Sequence, residues 1–172
     1  MVQKWLLPPK GKLKLNFDGA YSVSNKAGGI GFLLRNDAGE MRYMHAANCK
    51  ANSPFHCEAK ALLAAVEYVV DNESGQVLFE SDCKGLVDAV LGRSSVPDWQ
   101  ARGLVDEIAA KFLKHQNFYL FFSPRTCNLA ADWLAKNALK GLFRGGWTIS
   151  PPTSLARILD EDVQSQTRSG VG

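Results

Sequence analysis

The sequence predicts an α/β domain built on a mixed sheet with helices on both faces. Three observations carry that expectation. The first 50 residues alternate apolar and polar positions between short turns, as an antiparallel meander does. From Ser53 the apolar period becomes helical, and strand-like and helix-like runs then alternate, which calls for crossovers and parallel pairing. The chain of 172 residues is 46% hydrophobic and 22% charged, a balance that suits one core in one domain.

Residues 1–11 read as an extended lead-in, 12–145 as the domain and 146–172 as a C-terminal tail. In the first strand, Leu13, Leu15 and Phe17 take one face while Lys14, Asn16 and Asp18 take the other. "NKAGG" is a turn, "GIGFLLRN" a second strand, "NDAGE" a hairpin turn and "MRYMHAANC" a third strand. A helix follows to about Val70, with Ala61, Leu62, Ala65 and Val69 on one stripe. Gln76–Ser81 is a fourth strand, Asp82–Gly92 a short helix, and Trp99–His115 a further helix. "NFYLFFS" is the fifth strand. "NLAADWLAKNALKGL" is the last helix of the domain, ended by Gly141 and then by the Gly145–Gly146 pair. In the tail, "PPTSLARILDEDV" predicts a short helix before a polar terminus expected to be disordered.

Composition excludes some functions. No apolar run approaches the roughly 20 residues that cross a bilayer, and Pro8 and Pro9 interrupt any signal-peptide core, so no membrane partner is expected. Cys49, Cys57, Cys83 and Cys127 form no CxxC pair and read as reduced thiols, most of them buried. An intracellular setting, nucleus or cytoplasm, follows as the expectation. Net charge is +3, which permits an anionic partner without requiring one. Trp99 and Trp133 fall on helices where packing in the core or in a substrate groove would both serve, with the core the default expectation. No GxSxG elbow is present, and Gly28-Gly29-Ile30-Gly31 completes neither a phosphate loop nor a GxGxxG fingerprint.

Four carboxylates sit where solvent does not easily reach them. Asp18 interrupts a strand. Glu58 falls on the helix stripe with Ala61, Leu62, Ala65 and Val69. Asp82 ends the fourth strand at its carboxyl edge, where α/β sheets place their clefts, and Asp132 lies beside the apolar stripe of the last helix. A buried carboxylate is costly unless it is paired or ligates a cation. Taken singly, a turn, a helix dipole or a cap would explain each one. Converging at one end of a sheet, they call for hard divalent cations, and Mg²⁺ with few carboxylates and substrate phosphate oxygens is the natural solution. Two such ions about 4 Å apart clamp the attacking and leaving oxygens of a phosphodiester.

From Lys14 to Leu142 the order of elements and the motifs "NFDGA", "HCEAKALLAAV", "FESDCKGLV" and "NLAADWLAK" resemble the type 1 ribonuclease H family. The similarity is greatest to plant ribonuclease H-like domains akin to those of non-LTR retrotransposon polyproteins, which open and close with segments like "WLLPPKGKLKLNFDGA" and "PPTSLARILDEDV". The resemblance implies a five-stranded sheet in the order 3-2-1-4-5. It implies that Asp18, Glu58, Asp82 and Asp132 are both catalytic residues and ligands of two Mg²⁺ ions, with Mn²⁺ able to substitute. The implied reaction is hydrolysis of the RNA strand of an RNA–DNA hybrid by a monomer. Arg125 and Asn128 match polar positions of the family's loop, and with Asn16, Asn52 and Ser53 they are the candidate substrate contacts.

The chain departs from the family pattern in three places. Phe122 stands ten residues before Asp132, where many members carry a histidine, which implies slower turnover with metal binding kept. Pro54 and Phe55 replace the asparagines that read the RNA 2′-hydroxyl, a role for which Asn52 and Ser53 are the substitutes at hand. "GRSSVPD" is too short for a basic protrusion that grips the hybrid, so affinity is expected to be modest and strongly salt-dependent. The alternative expectation is a domesticated retroelement domain with weak or no catalysis that binds nucleic acid or protein.

Overall fold

The computed structural model describes residues 2–148 and 150–169. The chain runs β1 (Leu13–Ser22), β2 (Ala27–Arg35), β3 (Met41–Lys50), α1 (Pro54–Asn72), β4 (Val77–Ser81), α2 (Lys84–Val90), α3 (Arg102–Lys114), β5 (Phe118–Phe122), α4 (Leu129–Leu139), β6 (Gly145–Trp147) and α5 (Thr153–Ser169). Hairpins join β1, β2 and β3 antiparallel; β4 then pairs parallel with β1, and β5 parallel with β4. The sheet order is β5-β4-β1-β2-β3-β6.

That order holds six strands where five were expected. Gly145–Gly146 ends no helix. It continues into Trp147 as a three-residue edge strand antiparallel to β3, with Trp147 opposite Met44. A glycine pair gives no alternation to read, and only the partner strand makes it β. Trp99 also departs from expectation, since it stands 81% exposed on a short 3-10 turn before α3.

One face of the sheet packs Leu15, Phe17, Phe32, Leu34 and Phe79 against α1, α2 and α3. The other packs Leu33, Met44 and Ala46 against Ala130, Ala131, Leu134 and Ala138 of α4 and Leu155 and Leu159 of α5. The helix expected in the tail closes the second face and continues through residues 164–169, which were expected to be disordered, because it stays one helix to Ser169; the rest of that terminus, 170–172, lies outside the described residues. Because both faces are covered, the polar alternates of β1 are buried too, with Lys14, Asn16 and Asp18 at 7%, 0% and 6% exposure. The lead-in is also stitched down. Trp5 is wholly buried, Lys14 Nζ donates to Leu6 O at 2.6 Å, and Thr126 Oγ1 donates to Gln3 O at 2.6 Å.

The α4 helix lies almost directly on the β2 backbone. A Cβ added at Gly29 would overlap Ala135 O and Leu139 N, backbone atoms that no rotamer change can move. Gly29→Ala is therefore expected to cost at least about 3 kcal/mol in urea unfolding, at the upper end of overpacking effects. A loss below about 1 kcal/mol would contradict so tight a contact.

Candidate metal centre

The parallel pairing of β1 with β4 sets up the site. Asn16 is in register with Glu80, so two residues further along each strand Asp18 and Asp82 come side by side at the carboxyl ends. The third carboxylate comes from α1. Ser53 caps that helix by accepting from His56 N at 3.0 Å, and Pro54 fills the first turn, where no N–H is needed. The start of α1 then approaches β1 at Gly19, where a Cβ would lie 2.8 Å from Cys57 C and from Glu58 N. Any other residue at this position would push Glu58 away from Asp18.

One oxygen from each of Asp18, Glu58 and Asp82 lies within 4.8 Å of the others. Asp132, in the first turn of α4, lines the same open cleft of about 340 Å³. It stands outside the tight trio, with Oδ1 3.0 Å from Arg125 Nη2 and Oδ2 2.7 Å from Lys136 Nζ. Of the four expected ligands, three converge and the fourth is held beside them by two cations of the cleft.

Burial and charge crowding show in the titration of Asp18 and Glu58. Burial, the largest effect, pushes the Asp18 carboxyl up to about 7; the charges of Asp82 and Asp132 add to it and a hydrogen bond with Glu58 opposes it. Burial and then the Asp18 charge push Glu58 well above the ordinary carboxylate range. Metal-free, the pair therefore retains protons at pH values where free carboxylates have lost them. Glu58 Oε2 is shut off from solvent and has no hydrogen-bond partner among the described residues. Three clustered carboxylates, one with an orphaned buried oxygen, fit a hard divalent cation. Mg²⁺ is accordingly expected to raise the thermal midpoint, and to raise it more at pH 8 than at pH 6, because binding must displace those protons. Equal rises at the two pH values would refute that displacement.

The candidate substrate contacts scatter. Asn128, just before α4, donates from Nδ2 to Asp82 Oδ1 at 3.2 Å and to Phe17 O at 2.9 Å. Arg125 reaches the cleft through Asp132. Asn16 is wholly buried beneath the site, bonded to Asn128 Oδ1 at 3.1 Å and to Glu80 Oε1 at 3.1 Å, so it faces protein on every side. Ser53 is committed to the α1 cap and donates to Asp98. Asn52 is exposed, and its backbone N–H donates to His56 Nδ1 at 3.3 Å. Neither Asn52 nor Ser53 lines the carboxylate cleft. Phe122, 46% exposed, ends β5. Sequence reasoning overlooked Arg35. The signal was a lone charge closing the apolar run "GIGFLL", and the residue is wholly buried. Cys49 and Cys57, read as separate thiols, share a hydrogen bond that draws Cys49 down to about 7.

A family described as reverse transcriptase-like matches residues 16–138, most of the chain and all four carboxylates. The chain belongs to the reverse transcriptase-like family. No curated protein matches this member of it. Among solved structures, the reverse transcriptase-like chain is similar to ribonuclease H1 of the halophilic archaeon Halobacterium salinarum, with a TM-score of 0.69 at 21% identity over 76% of this chain and 99% of that one. The N-terminal ribonuclease H domain of a Mycobacterium tuberculosis protein gives 0.69 at 20%, over 76% of this chain and 95% of that one. LC11-RNase H1, solved in complex with an RNA/DNA hybrid, gives 0.67 at 19%, over 75% and 97%. At these identities the likeness establishes a ribonuclease H-like fold for this reverse transcriptase-like chain. Among its described residues no helix is long and apolar enough to cross a membrane.

Proposed function

We propose that the chain is a divalent-metal-dependent endoribonuclease that hydrolyses the RNA strand of RNA–DNA hybrids, acting as a monomer inside the cell. The carrying observation is the trio Asp18, Glu58 and Asp82, with oxygens within 4.8 Å of one another at the carboxyl ends of two parallel strands. These residues would hold Mg²⁺, two ions with Asp132 completing the set, and Mn²⁺ would substitute. When bound, the ions supply activation of water and neutralisation of charge at the phosphodiester. Arg125 and Lys136 add positive charge to the same cleft and would meet the phosphates. The expected products carry a 3′-hydroxyl and a 5′-phosphate. The family description supports an origin in a retroelement polyprotein domain.

A second reading, a binding module with little or no turnover, is favoured by Phe122, an exposed phenyl ring where the resemblance implies a histidine. One assay separates the two readings. A labelled RNA–DNA hybrid is incubated with the protein in Mg²⁺, Mn²⁺ or EDTA, beside Asp82→Asn. Cutting that needs metal and disappears in the variant supports the nuclease. A folded wild type that retains the hybrid and cuts in neither metal overturns it and leaves the binding module.

A further inference from the structure

The family match covers residues 16–138, yet segments on both sides of it reach the metal centre through buried hydrogen bonds. Asp162 of α5 accepts from Arg35 Nη1 at 2.7 Å. Arg35 Nη2 donates to Asn16 Oδ1 at 3.1 Å, and Trp5 Nε1 donates to the same oxygen at 2.9 Å. The guanidinium lies 3.5 Å from the centre of the Trp5 ring. Asn16 Nδ2 donates to Asn128 Oδ1, and Asn128 Nδ2 donates to Asp82 Oδ1. Trp5, Arg35 and Asn16 are 0% exposed and Asn128 is 1% exposed, so water does not replace these partners.

The chain of bonds has a fixed polarity. Arginine and the indole N–H can only donate. Facing both, Asn16 must turn its oxygen towards them and its NH₂ towards Asn128. Asn128 must then turn its own oxygen back and its NH₂ forward. The far end agrees, because Phe17 O and the Asp82 carboxylate can only accept. Neither amide can flip without setting oxygen against oxygen in a place that water cannot reach.

We propose that Trp5 and Asp162 are positioning residues of the metal centre: through Arg35, Asn16 and Asn128 they fix an N–H on Asp82 and hold that carboxylate in the ligand trio. The inference rests on the nuclease reading and assigns the two flanking segments a part in it. Such outer contacts to a ligating carboxylate commonly govern metal affinity by about 10- to 100-fold.

The test measures Mn²⁺ binding to the full chain by electron paramagnetic resonance, with the thermal midpoint and the side-chain amide ¹H–¹⁵N spectrum taken alongside. Asn16→Asp keeps the volume but sets an acceptor against Asn128 Oδ1, and is expected to weaken Mn²⁺ binding at least about tenfold. Trp5→Phe keeps a ring over Arg35 and drops one N–H; it is expected to shift the Asn128 amide resonances and weaken binding by a few-fold. Ile108→Ala loosens α3, which carries none of these bonds, and is expected to lower the midpoint with Mn²⁺ affinity unchanged. Equal weakening by Ile108→Ala would reduce the effect to general stability and overturn the proposal. Should Asn16→Asp fail to fold, Trp5→Phe decides, and unmoved Asn128 resonances with wild-type affinity overturn it. If the wild type binds Mn²⁺ and cuts but Asn16→Asp and Trp5→Phe bind equally well, this inference alone fails. A wild type that binds no Mn²⁺ removes the nuclease reading and this inference with it.

Discussion

Asp18→Asn is expected to abolish hybrid cleavage and, in the metal-free protein above pH 7, to raise the melting temperature. Loss of a ligand removes several kcal/mol of transition-state charge stabilisation, about 10³-fold or more in rate. The gain in stability comes from the same carboxyl. Burial raises its pKa from 3.8 in the unfolded chain to about 7 in the fold. A raised acid favours folding in its protonated form, so its contribution is present at low pH and is lost as pH rises from about 4 through about 7. Asparagine keeps the uncharged shape at every pH. The two proteins should melt alike near pH 4 and diverge by pH 8, by about 2–4 kcal/mol or several degrees. Calorimetry at both pH values in EDTA, beside the cleavage assay, checks both halves. A variant that still cuts, or a gap that does not widen with pH, would count against Asp18 as a buried ligand.

Asp162→Ala is expected to be among the most destabilising substitutions in the chain. It leaves the guanidinium of Arg35, 0% exposed, without its only carboxylate partner within 4 Å among the described residues. Burial, the largest effect on each group, already lowers the Arg35 pKa and raises that of Asp162, and each charge is held by the other. Breaking such a pair from one side costs about 3–5 kcal/mol. Replacing both partners with apolar residues, Arg35→Met with Asp162→Leu, should recover most of that loss, since no lone charge remains buried. Urea unfolding of the two single variants and the double variant checks this. A double variant no more stable than Asp162→Ala would mean that the damage lies in packing and not in the orphaned charge.

The meander, the parallel additions and the carboxylates of the site were legible because each has a local signature. Leu15 and Phe17 alternate with polar residues, Asp37 and Gly39 mark the turn between β2 and β3, and Glu58 falls on an apolar stripe; the turn between β1 and β2 falls on residues 23–26 instead of "NKAGG", whose glycines pair inside β2. What stayed hidden depends on contacts between distant parts of the chain. Asn16 read as a residue free to meet substrate, because alternation reports which face a side chain takes and not whether another element covers it. The cover comes from Trp5 and from Arg35, itself held by α5. Gly145 to Trp147 become a strand only through Met44 to Ala46. Asp132 was identified as one of four equivalent ligands; its pairing with Arg125 and Lys136 follows from side-chain reach, which motif spacing does not encode.

The two ends of the described chain meet on one face, where Gln166 Nε2 donates to Trp5 O at 2.5 Å. Pulled from the N-terminal side, as by an unfolding motor that threads polypeptides, the described chain would pass its load through the buried Trp5–Arg35–Asp162 contact before reaching β1. The buried ion pair would act as a mechanical latch, and once it gave way the first structure exposed would be the ligand-bearing strand β1.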